Sequence, residues 1–384
     1  MRIALAHDYL NQWGGAERVL EVLAEMFPEA PIYTLLYDEK ETFGKFSAKG
    51  GFASGGKNRK VITSFLDYPL VRKNHRPFIP LMPLAARFLK LDSDFDLVIS
   101  SSASFGKGVR LGPNTHHLAY IHTPLRYAWE SDYLPLEISG LKRLIYKPLL
   151  GYLRRWDYKV AQRPDILIAN SHFIASKIKR YYDRDSLVIY PPVDSSVFYP
   201  PIKTEESSSK FKPPTKDYFL AIGRFLHYKK FDLVIEVFGE LGLPLKIAGR
   251  GPEEEKLKKL ASAFSNIEFL PFAETTDKVG VLYQNARAVI FPQVEDFGLV
   301  AAESVACGTP VIAYNFGGAR EIVNAHSGIL FPQQTKKFII KAIREFIEKE
   351  ADFKPEIVSE QSKKFSKDNF ILELRKIIEH YFTK

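Results

Sequence analysis

Short apolar runs alternate with amphipathic segments of helix length along almost the whole chain. In the first half RIALAH, IYTLLY, DLVISS, HLAYIH, ILIAN and LVIYP read as strands; in the second, YFLAIG, LKIAG, IEFLP, AVIFP, PVIAY and GILF do. Runs that are apolar at successive positions suit strands buried on both faces, so each set predicts a parallel sheet covered by helices. Residues 16–27, 171–182, 230–240 and 253–264 space their apolar positions as one face of a helix does. Residues 194–216 follow neither period, hold four prolines and five serines, and read as a linker. The pattern therefore predicts an α/β protein of two doubly wound domains, residues 1–195 and 217–365, joined by a linker at 196–216 and facing each other across a cleft. Residues 336–348 and 368–382 read as closing helices. The last places Phe370, Ile371, Leu374, Ile377, Ile378 and Tyr381 on one face and could cap either domain.

Composition narrows the class. A chain of 384 residues with 46% hydrophobic content can build more than one core. Its single cysteine, Cys307, cannot close an internal disulfide, which points to a reducing compartment and a cytoplasmic location. The opening MRIALAHDYL is broken by His and Asp after a short apolar run, so it reads as a first strand, not a signal peptide. No run is long enough for a membrane-spanning helix. The net charge of +9 is unevenly spread: residues 1–190 hold 27 Lys+Arg against 19 Asp+Glu, residues 191–384 hold 27 against 26. Basicity in the first half reads either as a solvated surface or as attraction to an anionic membrane or a diphosphate-bearing acceptor. Residues 65–90, with four prolines, five Lys or Arg and several aromatics, and the basic amphipathic stretch 141–155 carry the same two readings. They are helices covering a sheet, or a face for lipid headgroups or acceptor.

The richest stretch chemically is 295–323. A buried strand ends near Pro292, a loop follows, and a helix starts near Leu299. A loop feeding a helix N-terminus aims unpaired amides outward, which suits a phosphate. Glu295 sits in the loop and Glu303 about one turn into the helix, so two carboxylates can grip two parts of a ligand with phosphate between them. That fits a nucleoside diphosphate linked to a sugar. Gly14-Gly15 opens a helix after the first strand, where a backbone can approach a ligand closely. His122 ends a strand just before Thr123-Pro124, either in the core or at a cleft edge. Gly223-Arg224 ends a strand, with Lys229 and Lys230 shortly after; two cations there can neutralise a leaving diphosphate. Gly249, Gly251 and Pro252 make another tight strand-to-helix turn. No Cys-x-x-Cys, His-Glu-x-x-His, Gly-x-Ser-x-Gly, Walker or Rossmann glycine motif occurs. Asp94 and Asp96 precede their strand, the wrong end for a site, and read as a surface turn.

Taken together these residues resemble the family-4 retaining glycosyltransferases with the GT-B fold, two Rossmann-like domains, over nearly the full length. The Glu295-x7-Glu303 element with its Phe-Gly-Leu, Gly223-Arg224-x4-Lys229, Gly249-x-Gly251-Pro252 and Gly14-Gly15-x-Glu17 stand in the family's order. The segment HTPLRYAWE around His122 is similar to one in bacterial mannosyltransferases that use GDP-mannose for O-antigen and exopolysaccharide chains. The resemblance implies that Glu303 holds the ribose hydroxyls and Glu295 the transferred sugar. Amides of Phe297, Gly298 and Leu299 would surround sugar and phosphate, with Val300, Gly223 and Gly249 also at the donor. Arg224 and Lys229 would bind the diphosphate, Gly15 would present its amide to it, and His122 would sit beside the sugar. It implies no metal and no cofactor beyond the nucleotide-sugar donor, a saccharide or lipid-linked acceptor, no nucleic acid, and work on the inner face of the cytoplasmic membrane. It also implies that residues 366–384 pack back on the N-terminal domain. Lys230 stands where the family commonly has Gly, which leaves the phosphate contact open between Lys229 and Lys230. The base of the donor is expected to be read by loops such as the one near Pro271-Phe272. A UDP- or ADP-sugar donor, a nucleotide-sugar epimerase on the same fold, and a non-catalytic basic binding protein are the other readings the residues allow.

Overall fold

The computed structural model describes residues 1–46, 59–91, 94–130, 141–201, 216–271 and 276–382, with the backbone alone at 141–146 and 276. The chain divides into two compact units, Met1–Pro192 with Phe370–Lys384, and Val193–Asn369.

The first unit is built on seven parallel strands: β1 (Ile3–His7), β2 (Ile32–Thr34), β3 (Val61–Thr63), β4 (Leu97–Ser102), β5 (His116–Ile121), β6 (Ile166–Ala169) and β7 (Leu187–Val188), in the order β3-β2-β1-β4-β5-β6-β7. Its helices are α1 (Gly15–Met26), α2 (Pro69–Lys73), α3 (Met82–Phe88), α4 (Arg126–Trp129), α5 (Leu141–Ala161) and α6 (His172–Tyr182). Alternate residues of each strand face opposite layers. Leu5, Ile32, Ile99 and Leu118 pack under Val19, Leu20 and Leu23 of α1. Ala4, Ala6, Tyr33 and Val98 pack under Met82, Ala85 and Ala86 of α3 and Leu153 of α5. Ser171 starts α6 by accepting a hydrogen bond from the Ile174 amide at 3.1 Å.

The second unit has six parallel strands: β8 (Tyr218–Ile222), β9 (Leu245–Ala248), β10 (Ile267–Leu270), β11 (Ala286–Phe291), β12 (Val311–Tyr314) and β13 (Gly328–Phe331), in the order β10-β9-β8-β11-β12-β13. Around it lie α7 (Phe231–Leu241), α8 (Glu254–Ala261), α9 (Thr276–Asn285), α10 (Leu299–Ala306), α11 (Ala319–Ile322), α12 (Lys336–Lys349) and α13 (Pro355–Glu360). The closing helix, α14 (Lys367–Phe382), buries Phe370, Leu374 and Ile378 in the core beside α1.

Three expectations need correction. The short strand β3 does not stand out in the sequence. Val61–Thr63 is only half-buried at the sheet edge and lacks an apolar run. The basic stretch from 141 continues as helix to Ala161. The predicted linker does not start as one: Phe198 is buried, its ring 6.0 Å from that of Tyr283, and Gln284 donates to the Tyr199 carbonyl. Residues 202–215 of that stretch lie outside the described residues. Asp94 and Asp96 are indeed at a surface turn, held by Arg2.

Candidate active site

In each sheet the chain winds outward and then returns to the other side of its first strand, so β1 and β4, and β8 and β11, flank a switch in strand order. Loops leaving the carboxyl ends of such a pair diverge and leave a crevice, where α/β sheets bind ligands. The residues singled out from the sequence lie at these ends.

In the second unit β8 runs into Gly223, whose φ is +145°, and β9 into Gly249, at +148°. A Cβ on Gly249 would lie 1.9 Å from the Gly223 carbonyl oxygen, so only glycine lets the two loops pass. The Phe225 amide donates to the Arg250 carbonyl at 2.9 Å and the Glu253 amide to the Phe225 carbonyl at 3.2 Å, interlocking them. From this base the chain carries the exposed Arg224, makes a tight turn at His227–Lys229 and enters α7 through Lys230. Lys230 has φ 58° and ψ 32°, the left-handed region. That backbone, not the side chain's chemistry, explains why glycine suits the position.

Across the switch, β11 feeds the loop that holds Glu295. The Gly318 amide donates to the Glu295 carbonyl at 2.9 Å, and a Cβ on Gly318 would lie 2.2 Å from the Phe297 carbonyl oxygen. The glycine pair thus lets the loop after β12 pack flat against the loop after β11. Gly298, at φ +102°, opens α10 and as a glycine brings no side chain of its own to cap the first amides, those of Leu299 and Val300. The Lys229 ammonium meets the Glu295 carboxylate at 2.5 Å, with 12% and 18% of the two side chains exposed. Lys229 also lies directly over Gly223: its Nζ would be 3.5 Å from a Cβ there. The loop geometry therefore brings Lys229, rather than Lys230, to Glu295.

Glu303 is placed differently from its partner glutamate. It is buried in α10, and the Tyr283 hydroxyl donates to it at 3.0 Å. Burial, and then the Glu303 charge, push the Cys307 thiol well up, so Cys307 is a buried thiol and not a nucleophile. Pro271 is exposed just after β10, and Phe272 lies outside the described residues.

In the first unit Gly15 begins α1 behind the extended Gly14. Glu17, buried in the first turn, lies 3.8 Å from the His7 ring and accepts from Gln12 at 3.4 Å. His122 is 8% exposed, and its Nε2 is 2.8 Å from the Ser101 hydroxyl. The Tyr120 ring meets it edge-on at 5.2 Å, and Asn170 donates to its carbonyl at 3.0 Å. His122 is therefore a strand-end residue with a fixed ring, between the two alternatives of core and open cleft.

Four residues escaped the sequence reading. Asp8, straight after β1, takes the Ser102 hydroxyl at 3.0 Å and the amides of Ala103, Ser104 and Gly106, tying the β1 and β4 ends together. Its signal was an acid directly after an apolar strand. Ser101 had no signal beyond its place in DLVISS. Lys107 and Asp157 are both fully buried and paired at 2.6 Å. Asp157 also accepts from Trp129 at 2.8 Å and Tyr182 at 2.7 Å, which anchors the segment after His122. Among the described residues no group of three or more His, Cys, Asp or Glu is placed to hold a metal ion.

Comparisons with known proteins bear on the family and the fold. Residues 13–197 match the model for Glycosyltransferase Family 4, and residues 202–367 match that for Glycosyl transferases group 1. An uncharacterized glycosyltransferase of Methanocaldococcus jannaschii is 28% identical over 64% of this chain and 67% of its own. The D-rhamnosyltransferase WbpZ of Pseudomonas aeruginosa is 27% identical over 60% of this chain and 59% of its own, and the O-antigen chain mannosyltransferase C of Escherichia coli 25% over 54% and 57%. The chain thus spans under two thirds of the length of the latter two. In fold, sucrose-phosphate synthase from Thermosynechococcus elongatus superposes with a TM-score of 0.76 over 100% of both chains at 16% identity. Anabaena HepE in complex with UDP-glucose gives 0.69 over 99% of this chain and 100% of its own at 17%. With a family 4 region followed by a group 1 region over residues 13–197 and 202–367, the chain belongs to the glycosyltransferases, and its fold is the GT-B fold.

Proposed function

We propose that the protein is a retaining, metal-independent hexosyltransferase that moves mannose from GDP-mannose onto a glycan or lipid-linked saccharide in cell-surface polysaccharide synthesis, at the inner face of the cytoplasmic membrane. The Lys229–Glu295 pair at the β8/β11 switch carries this reading. Without donor the two charges neutralise each other. A bound nucleoside diphosphate offers Lys229 and Arg224 a new anion and frees Glu295 to accept from sugar hydroxyls. As the C1–O bond breaks, its electron pair passes to the diphosphate, where the two cations stabilise it. The acceptor hydroxyl then attacks from the same face and gives its proton to the leaving oxygen. Glu303 takes the ribose, the α10 amides at Leu299 and Val300 the phosphate, and Gly15 and His122 serve from the first unit, the acceptor-binding domain. The mannosyl donor is supported by the HTPLRYAWE segment and by the O-antigen mannosyltransferase relative. A UDP-sugar donor is the second reading, supported by the fold shared with HepE in complex with UDP-glucose.

A thermal-shift series with GDP-mannose, UDP-glucose, UDP-GlcNAc and ADP-glucose separates them, since a ligand that binds only the folded chain raises its melting temperature. GDP-mannose is expected to give the largest rise. A larger rise with UDP-glucose overturns the donor, and sugar isomerised from donor alone, as fast as transfer, overturns the reaction class.

A further inference from the structure

The two helical layers of the first unit present opposite kinds of surface. On one side α1 carries Glu21 and Glu25 against Arg18, with Glu17 turned inward, and α14 is near balance. On the other side, the residues from Tyr68 to Leu91 contain no acid at all. Lys73, Arg76, Arg87 and Lys90 are exposed there, while Arg72 is tied to Asp67. The same layer includes α5, whose Lys147, Arg154, Arg155 and Lys159 are exposed. The one acid among its described side chains, Asp157, is turned inward onto Lys107.

The same layer also exposes apolar bulk. Phe65, Tyr68, Leu70, Leu81, Leu84 and Phe88 all stand out of it, Leu70 at 71% and Phe88 at 66% exposure. Phe65 and Phe88 meet edge to face at 6.4 Å, so they form one patch. Val71, Met82, Ala85 and Ala86 on the same short helices fill the core. The segment is thus apolar on both sides, with cations between its exposed apolar residues. Water does not favour that outer side. A protein partner would have Lys73 and Lys90 to bury among the apolar side chains, whereas interface cores are depleted of lysine. An anionic bilayer satisfies both features, since apolar side chains enter the acyl boundary and Lys and Arg meet headgroup phosphates.

We propose that the layer formed by residues 65–90 and the outer side of α5 is an interfacial face that lies on an anionic lipid surface. Phe65, Leu70 and Phe88 insert, and Lys73, Arg76, Arg87 and Lys90 hold the headgroups. No described helix is long and apolar enough to cross a membrane. The inference stands or falls without the transfer reaction, because binding is measured with no donor present.

The test is co-sedimentation of the full chain with phosphatidylcholine vesicles, with and without phosphatidylglycerol. Binding is expected with phosphatidylglycerol, and it should weaken with salt. The triple variant Arg76→Glu/Arg87→Glu/Lys90→Glu should lower it by on the order of tenfold or more. Phe65→Ser/Leu70→Ser/Phe88→Ser should lower it at every salt concentration. Reversal of Lys256 and Lys258, on α8 of the second unit, should leave it unchanged, and all variants should keep the parent's melting temperature. Equal binding by the charge-reversal triple, no binding to phosphatidylglycerol vesicles, or binding to heparin or RNA that competes fully with vesicles would overturn the proposal.

Discussion

The Lys229 ammonium and the Glu295 carboxylate meet at 2.5 Å, one from the loop after β8 and the other from the loop after β11. A carboxylate held this way is a stand-in for the anion that the proposed donor brings. Two substitutions therefore have opposite effects on binding. Glu295→Gln releases Lys229 and is expected to tighten GDP binding while transfer falls. Lys229→Ala is expected to weaken GDP binding and lower kcat on the order of 10²–10³-fold, as loss of one group facing a developing oxyanion does. Lys230→Ala should leave transfer near the parent. Calorimetry with GDP and steady-state transfer measure both. Weaker GDP binding by Glu295→Gln would show that the pair is not a competitor of the diphosphate.

Ser101 and Ser100 make a matched test of His122. Ser101 holds the His122 ring and Ser100 holds that of His117, each at 2.8 Å and each fully buried. Loss of either hydrogen bond is worth about 1 kcal/mol. Ser100→Ala is expected to show that loss as stability alone. Ser101→Ala is expected to show it also as a fall in kcat/KM of about tenfold, with GDP affinity unchanged. Equal activity of the two variants would make His122 a structural residue.

The fold was legible wherever an apolar run met a glycine. Β-strand ends at Ile222, Ala248 and Phe291 are marked by the glycines or the proline that follow, and α10 starts at Leu299 because Gly298 precedes it. Pairings between distant residues were not legible. Lys107 stands between two glycines with nothing in the sequence to mark it, yet it is fully buried and paired with Asp157 on α5. Asp8 likewise reads as a strand terminator until the amides of the loop after β4 close on it. The sequence placed Glu295 in a loop and Glu303 in a helix but did not show how far their surroundings differ. Their difference, one paired at the rim and one buried against Tyr283, arises from where α9 packs.

Lys230 offers a gain in stability. Its left-handed backbone costs about 1–2 kcal/mol in a residue with a Cβ. Glycine removes that cost but adds about 0.5–1 kcal/mol of unfolded-state entropy. Lys230→Gly is therefore expected to stabilise the second unit by somewhat under about 1 kcal/mol. All three tryptophans, Trp13, Trp129 and Trp156, lie in the first unit. The shift should appear in the denaturation midpoint followed by hydrogen exchange of β8 and β11 amides, and not in tryptophan fluorescence. A lower midpoint would mean that contacts of the lysine side chain outweigh the backbone cost.

His117 makes the first unit sensitive to acid. Burial pulls its pKa from 6.5 down to about 4, with Asp165 opposing the shift only in part. The fold therefore favours the neutral ring. The associated stability is fully present above pH 6.5, where the ring is neutral folded or unfolded. It declines as pH falls from 6.5 toward 4, because the unfolded chain binds a proton that the folded chain refuses. At about 1.4 kcal/mol per pH unit the loss amounts to roughly 3 kcal/mol. In His117→Asn this part of the acid dependence should vanish, although the variant starts less stable at pH 7. Unfolding curves of the two proteins, followed by tryptophan fluorescence, should therefore converge as pH falls through that window. Parallel curves from pH 7 to 4 would show that His117 is protonated inside the fold and that other groups set the acid response.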